Sequence, residues 1–251
     1  MRELKGAGII ITGGGSGLGE ATARWLVDKG AKVTITGRRE DKIQHVAANL
    51  GCNGVAGDIT REGDRKKILD AALHHAGRLD ALVNNAGNMY RGAIEELEEA
   101  RLLDIFNTNV VGAMMLTGLA VPHLERTAGC VLFMGSSHTR RAFPGASPYA
   151  ATKAAVQTLT QVLAAELGPR KIQVNCVIPG GVVTEINVRA GLLTSEQAVE
   201  RQSAMASMQA LERLGTGEDI AQAVEYFLTS KWVTGAILDV DGGLGLGVSQ
   251  D

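Results

Sequence analysis

The chain has 251 residues, 45% of them hydrophobic, which is enough for one large core at the upper edge of what a single core organises. Its 25 Lys and Arg nearly balance 27 Asp and Glu for a net charge of −2, and no basic block marks a nucleic-acid or anionic-membrane partner. Cys52, Cys130 and Cys176 stand too far apart for a metal site or disulfide framework, no apolar run reaches the ~18 residues of a membrane span, and no charged-then-apolar leader opens the chain. The expectation is a single cytoplasmic domain over residues 1–251 that acts on small molecules and needs no metal.

Short β-branched apolar runs alternate with longer amphipathic stretches. Strands are predicted at Gly8–Thr12, Lys32–Thr36, Gly54–Ala56, Ala81–Asn84, Cys130–Met134, Gln173–Ile178 and Ala236–Val240. Helices are predicted at Gly17–Lys29, Arg39–Asn49, Glu62–Ala76, Glu98–Leu124, Tyr149–Leu167 and Glu218–Leu228. This alternation predicts an α/β fold: a Rossmann-like, doubly wound sheet of about seven parallel strands, helices on both faces and ligands at the carboxyl ends of the strands. Runs such as Val131-Leu132-Phe133 suit strands buried on both faces. Residues 187–214, the least regular stretch, fit a helical excursion over a site.

The first strand runs into Gly13-Gly14-Gly15-Ser16-Gly17-Leu18-Gly19, and a helix opens at once. A pyrophosphate on a helix N-terminus needs free backbone N–H groups and no side chains, which glycine supplies. A GxGxxG fingerprint fits in no register, and Glu20 after Gly19 excludes a P-loop. What fits is TGxxxGxG. Further on come Asn84-Asn85-Ala86-Gly87, Asn109, Ser136, Tyr149-Ala150-Ala151-Thr152-Lys153, Pro179-Gly180 and Asp241-Gly242-Gly243. In this order and spacing the chain resembles the short-chain dehydrogenase/reductase family in its ~250-residue form, and it is similar to its beta-ketoacyl carrier-protein reductases and steroid or polyol dehydrogenases.

Tyr149 and Lys153, at i and i+4, share a helix face. A nearby ammonium favours the phenolate, which brings a tyrosine of pKa ~10 toward working pH. The resemblance implies that Tyr149 is the general acid/base and that Lys153 also binds the nicotinamide ribose. It implies that Ser136, thirteen residues before Tyr149, shares the substrate oxygen, and that Asn109 kinks its helix and holds a water serving the lysine. Ser137 and Asn107 remain open alternatives for the last two roles.

For the cofactor, Gly37 and Arg38 stand where an NAD site would carry an acid, and a guanidinium matches a 2′-phosphate. NADP(H) is favoured and NAD(H) is the alternative. The expected cofactor residues are Gly13, Gly15, Ser16, Gly17, Leu18 and Gly19 around the pyrophosphate, Arg38 and Arg39 at the phosphate, and Asp58 with Ile59 at the adenine. The resemblance adds Asn85, Ala86, Gly87, Tyr149, Lys153, Pro179, Gly180, Val182 and Thr184. The expected substrate is a small carbonyl compound or alcohol meeting Ser136, His138 and Tyr149, with a polar or anionic group read by His138, Arg140 or Arg141. The resemblance implies that the small and apolar faces of the helices over 98–124 and 149–167 are buried between subunits, in a homotetramer with a dimer second. A non-catalytic dinucleotide sensor is the rival reading, and the presence of both Tyr149 and Lys153 argues against it.

Overall fold

The computed structural model describes residues 3–182 and 204–247. Seven parallel strands form one sheet: β1 (Gly8–Thr12), β2 (Lys32–Gly37), β3 (Asn53–Ala56), β4 (Ala81–Asn84), β5 (Cys130–Met134), β6 (Gln173–Pro179) and β7 (Ile237–Val240). Their order is β3-β2-β1-β4-β5-β6-β7. The chain reverses direction across the sheet between β1 and β4, where Ile9, Ile10 and Ile11 pair with Ala81, Leu82 and Val83. Crossover connections on opposite faces leave a crevice at such a point, beyond the carboxyl ends of the strands.

Alternation within each strand divides the core into two layers. Ile9, Ile11, Val33, Leu132 and Val177 face α1 (Gly17–Asp28), α2 (Glu40–Leu50) and α7 (Gly217–Thr229). Ile10, Leu82, Val131, Phe133 and Ile178 face α3 (Glu62–Ala76), α5 (Gly112–Thr127) and α6 (Ser147–Leu167). Central strands buried on both sides have no polar face to show, and this is why they read as unbroken apolar runs.

The predicted elements are all present, with boundaries moved by one or a few residues, except at one place. The single helix expected over Glu98–Leu124 is α4 (Glu99–Phe106), a π-helical turn at Asn107–Val111, and then α5. A π turn adds one residue to the helical repeat and re-aims the side chains it contains. By length and composition this 29-residue stretch could also cross a membrane, contrary to the sequence expectation, but over half of its apolar window is buried. Ala113, Leu116, Ala120 and Leu124 spend that hydrophobicity on the core.

Polar bonds tie the ends of β1 and β4 together at the crevice. Thr12 Oγ1 accepts from the backbone N–H of Asn85 at 3.0 Å and of Ala86 at 2.9 Å. Thr12→Val keeps the shape but leaves the Ala86 N–H unpaired, while the Asn85 N–H retains Val83 O at 3.1 Å, at a cost of about 2 kcal/mol. Urea unfolding checks this: the variant is expected to lose that stability with an unchanged slope, and an unshifted midpoint would contradict the assignment.

Candidate active site

The glycine turn is shaped by what a side chain would strike. Gly13 has φ +68°, and a Cβ there would lie 2.9 Å from Ala86 Cα. A Cβ on Gly19 would overlap the Gly13 carbonyl. Gly19 is buried and is not among the residues lining the cavity, and its absent side chain serves the packing of the loop. Asn85 lines the cavity, and its Nδ2 donates to Thr12 O at 2.8 Å and Gly13 O at 3.2 Å, holding the turn in place. Gly13, Gly15, Ser16, Gly17 and Leu18 face the cavity where α1 begins, and the first-turn N–H groups of a helix lack partners within it.

That cavity, about 840 Å³, runs along the carboxyl edge of the sheet. From the turn it passes Arg38, Arg39 and Lys42, then Asp58, Ile59, Ala86 and Gly87, and reaches Ser136, Tyr149 and Lys153 beside Pro179, Gly180 and Val182. Thr184 and most of 187–214 lie outside the described residues. Two buried hydroxyls on the wall, Thr36 Oγ1 and Thr108 Oγ1, have no protein partner. Buried polar atoms are rarely left unbonded, so a side-chain-free cradle with two orphan hydroxyls and a cationic end fits a dinucleotide.

At the cationic end, Arg39 Nη2 donates to Ser16 Oγ at 3.2 Å, and Arg38 Nη2 to Asn88 Oδ1 at 3.3 Å. Arg39 thus brings to the glycine turn the positive charge that Ser16 lacks. Asp58 Oδ1 is occupied by Thr60 N at 2.9 Å and Thr60 Oγ1 at 2.8 Å, a local turn that leaves the buried Ile59 to face the cavity.

At the other end, α6 carries both expected acid/base residues. Lys153 Nζ donates to Met134 O at 2.7 Å, at the end of β5, and sits 5.6 Å from the centre of the Tyr149 ring. Asn109, buried in the π turn, donates through Nδ2 to Asn88 O and Thr152 Oγ1, each at 3.0 Å, and accepts from Asn88 N at 2.8 Å. Asn107, in the same turn, is exposed. Asn109 spends both amide hydrogens on protein groups and makes no direct bond to the lysine. Instead it braces α6 against the segment after β4.

The electrostatics depart from expectation. Burial pushes the Tyr149 phenol up to about 12, with its Ser136 hydrogen bond pulling the other way. Burial draws the Lys153 ammonium down to about 8, opposed by the field of Cys176. Lys153 does not bring the phenol toward neutrality as the i, i+4 spacing implied. Its Nζ is directed to a carbonyl, and desolvation is the largest influence on both groups.

The serine loop separates the remaining candidates. Ser136 Oγ lies 3.1 Å from His138 Nδ1 and meets the Tyr149 phenol, whereas Ser137 begins a short 3₁₀ turn. His138 lines the cavity. Arg140 does not: it is turned onto Asp239 Oδ1 at 2.8 Å and Gln157 Oε1 at 3.1 Å. Arg141 is also absent from the lining, so neither arginine is placed to read a substrate from this cavity. Sequence reasoning missed Thr12, Asn88, Thr152 and Tyr90, as well as Arg101, which stacks 4.3 Å from the Tyr90 ring centre. Only Thr12 and Thr152, lying inside the quoted motifs, carried a signal.

A lysine depressed from the ordinary 10.5 to about 8 binds fewer protons folded than unfolded between those limits, so stability rises with pH across that window. Lys153→Met removes the effect. Relative to the variant, the native protein is expected to gain about 3 kcal/mol from pH 7 to pH 10.5, as read by chemical unfolding at each pH. A pH-independent difference would contradict the depressed lysine.

Residues 13–245 match the family model described as enoyl-(acyl carrier protein) reductase. The chain is 34% identical to 2-(S)-hydroxypropyl-CoM dehydrogenase 3 of Xanthobacter autotrophicus over 96% of this chain and 98% of that one. It is 33% identical to glucose 1-dehydrogenase of Gluconobacter oxydans, covering 97% and 94%. In structure it resembles the 3-ketoacyl-(acyl-carrier-protein) reductase of Brucella melitensis complexed with NADH, with a TM-score of 0.89, 31% identity and coverage of 96% and 99%. Its seven-stranded parallel sheet, its glycine turn and these relatives agree, and the chain belongs to the short-chain dehydrogenase/reductase family, oxidoreductases that act on CH–OH or C=O groups with a nicotinamide dinucleotide.

Proposed function

We propose that the protein is an NADP(H)-dependent oxidoreductase that interconverts a ketone or aldehyde and an alcohol, with Tyr149 as the general acid/base. One observation carries this reading: the Tyr149 phenol and the Ser136 hydroxyl meet in the same cavity as the glycine turn, directly beside Lys153. The nicotinamide, when bound, gives or takes the hydride. The protein's own groups do the rest. Ser136 and Tyr149 hold the substrate oxygen, and a phenol at about 12 stays protonated at neutral pH, the form that can give a proton to a carbonyl oxygen. The reverse reaction needs the phenolate, which a positively charged oxidised cofactor would favour together with Lys153.

Gly13, Gly15, Gly17 and Leu18 suit the pyrophosphate, Ile59 the adenine, Lys153 the nicotinamide ribose, and Gly180 and Val182 the carboxamide. The preference for a 2′-phosphate rests on Arg38, Arg39 and Lys42 lining one end of the cavity. NAD(H) is the second reading, favoured by the exposed setting of the Arg38 contact. For assembly, Leu103, Val111, Met114, Met115 and Val162 are large apolar side chains left exposed on the helices over 99–127 and 147–167. We read this face as covered in a homotetramer, or else in a dimer. The three cysteines are free thiols, which suits the reducing cytoplasm.

A panel of ketones and aldehydes, followed by oxidation of NADPH and of NADH, tests the reading. Tyr149→Phe is expected to lower kcat by about 100-fold or more, and retention of native activity would refute the mechanism. The double variant Arg38→Ala, Arg39→Ala is expected to raise KM for NADPH about tenfold or more while leaving that for NADH within about twofold, in keeping with the loss of charge-assisted bonds. Equal effects on both cofactors would remove the case for NADP.

A further inference from the structure

Ser136 Oγ has three partners in the protein, as many as a hydroxyl can satisfy, so a substrate oxygen can join only by displacing one. It accepts from the His138 backbone N–H at 3.3 Å, lies 3.1 Å from His138 Nδ1, and meets the Tyr149 phenol. A hydroxyl has one hydrogen to give and two lone pairs to offer. The backbone N–H takes one lone pair. One hydrogen and one lone pair are left for His138 Nδ1, the Tyr149 hydroxyl and any oxygen entering the cavity.

The imidazole decides how they are used. With a hydrogen on Nδ1, the ring donates to Ser136 and fills its second lone pair. The Ser136 hydrogen and the Tyr149 hydrogen are then both free for an incoming carbonyl oxygen. With Nδ1 bare, the nitrogen draws the Ser136 hydrogen, and the second lone pair captures that of Tyr149. This closed circuit offers the substrate nothing.

We propose that His138 is a positioning residue that sets the direction of the Ser136 hydroxyl, so that two hydrogens converge on a carbonyl oxygen only while Nδ1 carries one. Its consequence for turnover rests on the oxidoreductase reading; the hydrogen-bond exchange itself does not. The ring is well fixed for this task. Its centroid lies 4.6 Å from that of Phe143, and it meets Tyr149 edge-on at 5.1 Å and 86°. The turn carrying it is tied down through Thr139, whose Oγ1 donates to Ser136 O at 2.8 Å and accepts from Gln157 of α6.

Among the described residues, titratable and charged groups face it from several elements. From α6 come Tyr149, against the ring, and Lys153 behind Tyr149. Its own loop carries Arg140, paired to Asp239 of β7, and Arg141. Just beyond β7, the Asp241 carboxylate accepts from the backbone N–H groups of Gly243 and Gly245. Arg91, Arg101 and Asp104 line the same cavity. Protonation of the ring puts a hydrogen on both nitrogens, whereas the neutral ring shares one hydrogen between them. Carbonyl reduction should therefore decline as pH rises through the titration of His138.

Two measurements test the proposal. In the first, kcat/KM for carbonyl reduction is followed against pH. The native protein is expected to lose activity on the alkaline side of histidine's range. His138→Phe, which keeps an aromatic ring in place, is expected to be about fivefold slower at low pH and to lack that decline, with KM for the cofactor unchanged. His138→Gln, which can still donate, is expected to regain part of the rate but not the pH dependence.

In the second, nitrogen NMR of the free protein follows the protonation and tautomer of His138, and Ser136→Ala is expected to shift both. A native-like pH decline in His138→Phe, or a His138 titration unmoved by Ser136→Ala, overturns the proposal. Failure of the native protein to reduce any carbonyl would instead overturn the oxidoreductase reading, and the nitrogen spectra would then decide the role of His138 alone.

Discussion

The site depends on a buried cation held by a carbonyl. Lys153 is 6% exposed and gives its ammonium to Met134 O at the end of β5. Burying an ammonium is costly unless hydrogen bonds replace water, and this one carbonyl is set by the sheet register, so the charge is fixed relative to the strand ends. Gly87 leaves room for Asn109, since a Cβ there would lie a tight 3.2 Å from its Oδ1 but in ordinary contact, 3.7 Å, with Lys153 Nζ. Tyr149, one turn earlier on α6, is held in the same dry pocket. The acid/base pair, the end of β5 and the segment after β4 therefore form a single unit.

Polar side chains around this unit do two kinds of work. Thr12, Asn85, Asn109 and Thr152 spend their hydrogen bonds on backbone or on one another, and so fix where the strand ends, α6 and the turn meet. The surface offered to a ligand is left to glycine backbone and to long cationic side chains, with the unpartnered hydroxyls of Thr36 and Thr108 buried just behind it. Motif residues in this fold thus divide into those that build the cavity and those that face it. Gly19 belongs to the first group, whereas Asn85 belongs to both, since its amide holds the glycine turn while the residue lines the cavity.

Much of the fold was legible because its central strands are buried on both faces and its helices are amphipathic, two signals that survive without any alignment. The π turn was not, since one inserted residue barely disturbs an apolar pattern of period 3.6. Spacing located Tyr149 beside Lys153 and Ser136 near both, because helix geometry and strand ends fix those distances. It could not reveal that desolvation would dominate their proton affinities, which depends on what the rest of the chain places around them. The direction of Arg140 was equally hidden, as its partners Asp239 and Gln157 are distant in sequence.

The central claim is that burial holds the Tyr149 proton in the free protein and that an oxidised cofactor loosens it. Tyrosinate absorbance of the native protein minus that of Tyr149→Phe, taken at about pH 11, tests this directly, because an ordinary tyrosine of pKa ~10 is mostly ionised there. The account predicts almost no difference for the free protein, since Tyr149 stays protonated up to about 12, and a clear tyrosinate signal once oxidised NADP saturates it. A full tyrosinate signal in the free protein, or none with the cofactor bound, would contradict it.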